Sequence, residues 1–128
     1  MPTRENWIAE NIIETVWMQP LTGSQLKDCF DSIAAMLDER PEQIIHVLFD
    51  LRTAGTVPAS APLSAVNTGF MGKSNLGIIS VTSDDRMAAT LARIASGISR
   101  KSIVMFKTYD EALGCVHEAT AIAASGQR

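Results

Sequence analysis

The sequence predicts an α/β fold, a single mixed β-sheet of four to five strands with four helices. Strand-like and helix-like segments alternate along the chain, which is typical of such folds. Two nearly continuous apolar runs, at residues 44–51 and 76–82, indicate strands covered on both faces. With 128 residues, 46% of them apolar and 20% charged, we expect one domain over residues 1–128 that needs no disulfide or metal to hold its core.

The first segment, residues 7–18, predicts a strand or a hairpin, because Glu10 and Asn11 can form a turn within it and Pro20 ends it. The segment has more large apolar side chains than one strand pair readily buries against a helix. They are Trp7, Ile8, Ile12, Ile13, Trp17 and Met18. This surplus, beside an open sheet edge, predicts a symmetric homodimer through the segment. The alternative is that both tryptophans cover the core of a monomer.

The first helix begins at a capping box formed by Thr22 and Gln25, in the pattern Ser/Thr-x-x-Glu/Gln. Its apolar positions recur at helical spacing, and Arg40–Pro41 ends it. They are Leu26, Cys29, Phe30, Ile33, Ala34 and Leu37. The run at residues 44–51 then predicts the central strand. We interpret residues 52–62, with two prolines and a glycine, as a loop.

The second half of the chain continues the alternation. A short helix is marked by Leu63, Val66 and Phe70, and a second buried strand follows at residues 76–82. Ser83-Asp84-Asp85 predicts a helix start, and residues 102–106 the last strand. Thr108 and Glu111 form a second capping box. We expect the last two helices to bury Met87, Leu91, Ile94, Ala95, Ile98, Ala112, Leu113, Val116 and Ile122.

Four stretches resemble the STAS-like superfamily, and in particular small bacterial proteins similar to anti-sigma-factor antagonists. They are residues 16–22, 47–51, 76–81 and 103–113. Each is apolar or helix-capping sequence, so the resemblance implies the fold more than any activity.

Regulated members of that family carry a phosphorylatable serine, within Asp-Ser-Ser-Gly-Leu, at the start of the helix after the central strand. Matching Leu63 to the motif leucine places Ala61 at the acceptor position and Pro62 at the glycine. A slip of one residue would place Ser60 at the acceptor. The departure argues against the phosphorylation switch, although a phosphate near a helix N-terminus is electrostatically favourable, so Ser60 remains a candidate.

Motifs for metal, nucleotide or nucleophilic chemistry are incomplete. Gly72-Lys73-Ser74 resembles the end of a P-loop, but Asn67 stands where the first glycine is needed. The two histidines, His46 and His117, and the two cysteines have no zinc-site spacing. We interpret both cysteines as buried thiols and His46 as a hydrogen-bonded sheet residue, and we expect no catalytic residue, metal or cofactor.

Polar residues at the end of the central strand are the main candidates for binding. Asp50, Arg52 and Thr53 lie where a buried strand opens into a long loop, and ligands of open α/β sheets bind beyond the carboxyl ends of strands. Lys73 and Arg86 would add positive charge if they fold toward this loop. The alternative is that Asp50 caps the loop and Arg52 is solvated.

Composition narrows the functional class. A net charge of −3 disfavours nucleic-acid binding, and the sequence has neither the apolar stretch of a signal peptide nor a run long enough to span a membrane, so we expect a cytoplasmic protein. The best hypothesis is a non-enzymatic STAS-like regulatory or binding module that acts through a protein partner or a small ligand. The alternative is a small ligand- or lipid-binding protein, or an enzyme, that uses a pocket at the strand carboxyl ends.

Overall fold

A computed structural model describes residues 3–83, 86–99 and 101–126, and it confirms the predicted α/β class. Its strands are β1 (Thr3–Ala9), β2 (Ile12–Met18), β3 (Ile45–Thr53), β4 (Leu76–Thr82) and β5 (Ile103–Phe106). Its helices are α1 (Gly23–Glu39), α2 (Ala61–Asn67), α3 (Arg86–Ser99) and α4 (Tyr109–Gly126), with a 3₁₀ turn at Phe70–Gly72.

The strands lie in the sheet in chain order, β1-β2-β3-β4-β5. β1 is antiparallel to β2, as the predicted hairpin requires, and the other neighbours are parallel. β3 is therefore central, as predicted. It extends to Thr53, so Arg52 and Thr53 belong to the strand and the predicted loop starts later, because parallel pairing with β2 continues as far as Met18 and Thr53.

One face of the sheet packs against α1, α2 and α3. Its core contains four aromatic rings, with Phe30 stacked on Phe70 at 5.2 Å between centroids and Trp17 edge-on to Phe49 at 5.5 Å. The predicted capping box at the start of α1 is present. Gln25 N–H donates to Thr22 Oγ1 at 3.3 Å, and Thr22 N–H donates to Gln25 Oε1 at 2.9 Å.

The other face is covered by α4, which packs mainly over β3 and β4 and whose Ala112 and Val116 are fully buried. The Ser80 hydroxyl donates to the carbonyl of Ala112 at 2.9 Å, so this buried polar group of the sheet is satisfied by the helix. These contacts hold α4 across β3 and β4.

Two residues predicted to be buried, Ile94 and Ile122, are exposed, with exposed fractions of 47% and 64%. Leu63, which marked the short helix in the sequence, is 58% exposed. On α2 and α3 the buried face consists largely of small residues instead, which apolar spacing alone did not identify. They are Ala61, Pro62, Ala65 and Ala95, with Leu91. Cys29 is buried, but Cys115 is only half-buried, which corrects its assignment as a core thiol. The side chains of Met87 and Ile98, and residues 84–85 of the predicted cap, lie outside the described residues.

The apolar surplus of the first two strands is mostly buried within one chain. Ile12, Ile13 and Trp17 lie in the core, and the guanidinium of Arg40 lies 3.7 Å from the ring centroid of Trp7. Ile8 is exposed on the edge strand. The homodimer stays a prediction, with less apolar surface available than the sequence indicated.

His46 is buried where β3 approaches the start of β4. Its Nδ1 accepts a hydrogen bond from Ile78 N–H at 3.0 Å, which leaves the proton of the neutral ring on Nε2. Among the described residues, Nε2 has no hydrogen-bond partner, so only one of the two ring nitrogens forms the hydrogen bond that the sequence predicted. Gly77 makes this packing possible, because a Cβ there would lie 2.5 Å from Nδ1. Burial lowers the pKa of His46 below its usual 6.5.

A charge at the centre of β3 should prevent stable folding. Leu48 is fully buried, so Leu48→Asp places an unpaired carboxylate between the sheet and α4. We expect a loss of at least about 3 kcal/mol in the free energy of unfolding, measured by urea denaturation. Leu63→Asp, at an exposed leucine, is the control and should change it by less than about 0.5 kcal/mol. Equal stability of Leu48→Asp and the parent would contradict the assignment of β3.

His46 should make the protein less stable in acid. The folded state disfavours the charged ring, so the unfolded chain takes up a proton that the folded chain does not. The contribution of the neutral ring to the free energy of unfolding is therefore fully present above pH 6.5, and it is lost as the pH falls below that value. Between about pH 7.5 and pH 5, the parent should lose more stability than His46→Asn, whose amide oxygen can replace Nδ1 as acceptor. Identical pH profiles of the two proteins would exclude this role.

Candidate functional site

An ion pair lies at the carboxyl end of the central strand, where the sequence predicted binding residues. The Asp50 carboxylate is buried and accepts from Arg52 Nε at 2.9 Å, from Arg52 Nη2 at 2.8 Å and from the Arg52 backbone N–H at 3.1 Å. Burial alone acts to raise the pKa of Asp50, but the hydrogen bonds and charge of Arg52 hold that pKa below its usual value. Asp50 is therefore ionised and bound on both oxygens.

Two residues that the sequence analysis missed complete this cluster. The Arg52 guanidinium carbon lies 4.6 Å from the ring centroid of Tyr109, the first residue of α4. The Tyr109 hydroxyl donates to the Glu14 carboxylate on β2. Burial and the neighbouring Glu14 raise the pKa of Tyr109 to about 12, so the hydroxyl keeps its proton. We call Glu14, Asp50, Arg52 and Tyr109 the strand-end cluster.

The strand-end cluster satisfies its own charges to a large extent. Asp50 and Arg52 pair with each other, and Glu14 pairs with Tyr109, so the cluster joins α4 to the sheet. The side chain of Arg52 remains 53% exposed, which leaves it accessible to a partner. Thr82 lies opposite Asp50 in the register of β3 and β4, and within the described part of the chain its buried hydroxyl has no hydrogen-bond partner.

The remaining predicted site residues do not converge on this cluster. Thr53 donates to the carbonyl of Trp17 at 3.0 Å and so ties β3 to β2. Ser60 is exposed at the start of α2, in a groove between α1 and α2 that also contains Lys27. Lys73 precedes β4 and pairs with Asp38 at 2.8 Å, at the opposite, amino end of the parallel strands. Arg86 is exposed at the start of α3.

An apolar cavity of about 80 Å³ lies between the sheet and the pair of helices α2 and α3. We call it the α2–α3 cavity. Aromatic side chains line one side, and small side chains of the two helices line the other. They are Trp17, Phe30, Phe49 and Phe70 on the first side and Ala61, Ala65, Ala92 and Ala95 on the second. Leu51 and Val81 place it toward the carboxyl ends of β3 and β4.

Sequence reasoning did not predict this cavity, because its walls belong to eight separate elements, which are four strands (β2 to β5), three helices (α1 to α3) and the 3₁₀ turn. The signal was present in the alanines of α2 and α3, which face an aromatic cluster without filling the space that larger side chains would occupy. Well-packed interiors leave few such spaces. The lining has no ionisable side chain, so the cavity suits binding of an apolar group and offers no acid or base.

Two further searches concern metals and membranes. In residues 3–83, 86–99 and 101–126, no three or more His, Cys, Asp or Glu side chains converge as metal ligands. None of the helices within those ranges has the length and apolar character to cross a bilayer.

The fold resembles a solved structure, although no family model and no curated protein matches the sequence. The solved structure is an uncharacterized protein of the DUF3478 family, with a SpoIIAA-like fold, from Shewanella loihica PV-4. The two chains are 12% identical, with a TM-score of 0.63 over 88% of this chain and 90% of the other. At this identity the likeness shows the fold alone. The chain has a SpoIIAA-like, that is STAS-like, fold, as the sequence resemblance implied.

Proposed function

We propose that this chain is a non-enzymatic binding module that takes a small apolar ligand into the α2–α3 cavity. The observation that carries the proposal is the cavity itself, which is lined by apolar side chains, partly open to solvent and placed toward the strand carboxyl ends. Ligands of open α/β sheets bind at these ends. The STAS-like fold supports a regulatory or binding role in general terms and adds no particular ligand.

The size of the cavity limits the ligand. An engineered apolar cavity of about 150 Å³ stays dry and binds benzene or xenon. The α2–α3 cavity, at about 80 Å³, is close to half that volume, so it suits a short alkyl group, or one aromatic ring if α2 shifts outward. It is too small for a whole lipid, since sites for drug-sized molecules commonly measure about 300–1,000 Å³.

Catalysis is not supported at this cavity, because the side chains around it have no nucleophile, acid or base. The polar groups of the strand-end cluster are bound to one another, and they lie on the α4 face of the sheet, whereas the cavity lies on the other face. We therefore propose binding without chemistry.

A protein contact at Ser60 is a second candidate. Ser60 is exposed, makes no helix-capping hydrogen bond and lies in a groove of about 580 Å³ that Lys27 also lines. A phosphate on Ser60 would compete for Lys27 with Asp31, which lines the same groove and pairs with this lysine at 2.8 Å. Asp50, Arg52, Thr53 and Lys73 stay predicted contact residues for such a partner.

Small apolar probes should stabilise the folded protein. We expect toluene and n-hexanol at millimolar concentration to raise the Tm by a few degrees, since a ligand at about ten times its Kd adds about 1.4 kcal/mol. Ala95→Leu fills part of the cavity and should abolish the shift, and Ala65→Val should reduce it. The measurement is a thermal melt with and without probe for each folded variant.

Ala121→Leu, on the exposed face of α4, is the matched control and should keep the full shift. A shift that survives both cavity substitutions would place the binding elsewhere. The absence of any shift in the parent, at probe concentrations that leave it folded, would refute a ligand-binding cavity.

A further inference from the structure

The edge strand β5 has backbone groups open for pairing. The carbonyls of Ser102 and Phe106 accept hydrogen bonds from the β4 side, from Ile79 N–H and Ser83 N–H, each at 3.0 Å. Backbone groups of successive strand residues point to alternate sides, so the N–H and C=O of Ile103 and Met105 point away from β4. In the part of the chain that the structure describes, no strand pairs with β5 on that outer side.

An apolar groove of about 520 Å³ runs beside this edge, between β5 and α4. We call it the β5–α4 groove. Phe106 lines the groove, and Val104 points to the same side of the sheet, because the two residues lie opposite Thr82 and Ser80 in the parallel register and Ser80 bonds to α4. Val104 is 36% exposed. Cys115 and Ile122 form the wall on α4, which packs mainly over β3 and β4 and covers this side of β5 only in part.

The charges of the groove are acidic. Glu111 and Glu118 lie along its α4 wall, and both are exposed. No cationic side chain lines the groove among the described residues, and the nearest in sequence, Lys107, follows β5 outside it. An occupant that complements this surface is therefore apolar toward Val104 and Phe106 and basic toward the two glutamates.

We propose that the β5–α4 groove binds an extended, basic and apolar segment of a protein partner, which adds a sixth strand beside β5. Strand addition uses the open backbone groups of an edge for affinity and alternate side chains for specificity. Glu111 and Glu118 are seven residues apart, about 10 Å along a helix, and strand residues four apart are separated by about 13 Å, which long lysine side chains can span. The inference goes beyond the proposed ligand function, since it concerns another surface and another class of partner.

A synthetic peptide tests this directly. In acetyl-Lys-Thr-Val-Thr-Lys-Thr-Val-amide, one face of the extended chain alternates lysine and valine. We expect it to bind the full chain saturably and to slow hydrogen exchange of the Ile103 and Met105 amides at least tenfold, as measured by NMR. The Ile79 amide, already bonded to Ser102, should not change. Replacing every threonine by proline keeps the charge but removes N–H donors, and should abolish the protection.

Charge variants separate specific from general attraction. Glu118→Lys should weaken binding of the peptide at least tenfold, whereas Glu42→Lys, at an exposed glutamate outside the groove, should leave it within twofold. Three results would overturn the proposal. The first is that the Ile103 and Met105 amides gain no protection at millimolar peptide. The second is that Glu118→Lys and Glu42→Lys weaken peptide binding equally. The third is that protection rises with protein concentration alone, which would assign the edge to a second copy of this chain.

Discussion

The five strands lie in the sheet in the order in which they occur in the chain, and this constraint sets the rest of the structure. Each parallel crossover advances by one strand in the same direction. Because such crossovers are right-handed, α1, α2 and α3 all lie on one face of the sheet. Only α4, which follows the last strand, is left for the other face. The two faces of the sheet are therefore packed differently, one against three helices and the other against one.

The face with three helices holds the aromatic core and the α2–α3 cavity. Phe30, Phe49 and Phe70 come from three elements and supply the large side chains, while α2 and α3 contribute alanines. The apolar space between these aromatic rings and the small side chains is the feature from which the ligand-binding proposal follows.

The face with one helix depends on polar anchors at known points of α4. Tyr109 donates to Glu14 at its first residue, the Ala112 carbonyl accepts from Ser80, and Thr120 accepts from Asn11 at 3.3 Å further along. These bonds fix α4 over the middle strands. The same position leaves the α4 side of β5 only partly covered, so that an open edge and an apolar groove occur together there. The strand-end cluster is thus structural as well as a candidate contact surface.

The sequence predicted the elements more fully than the site. The capping box at Thr22, the apolar stripe of α1 and the central strand were predictable, since each depends on neighbouring residues or on helical spacing. The exposure of Leu63 and Ile94 could not be predicted, because apolar periodicity identifies large apolar residues, whereas the buried faces of α2 and α3 consist largely of alanine.

Local sequence patterns could not identify all residues of the strand-end cluster, because these residues are far apart in the sequence. Asp50 and Arg52 pair with each other on β3, but the other two members of the cluster, Glu14 and Tyr109, are 95 residues apart, and only the sheet order joins them. Lys73 would have added charge at the strand carboxyl ends if it folded toward them, but it lies at the amino ends, because it precedes β4.

The central claim is that the three-helix face contains an apolar space that accepts a ligand. A crystal structure under xenon pressure tests it most directly, since xenon enters dry apolar cavities without needing a hydrogen bond. We expect a xenon atom in contact with Phe49 and Ala95, and no xenon there in Ala95→Leu. A well-ordered structure with xenon bound elsewhere, or with the space closed by the side chains around it, would refute ligand binding in the α2–α3 cavity.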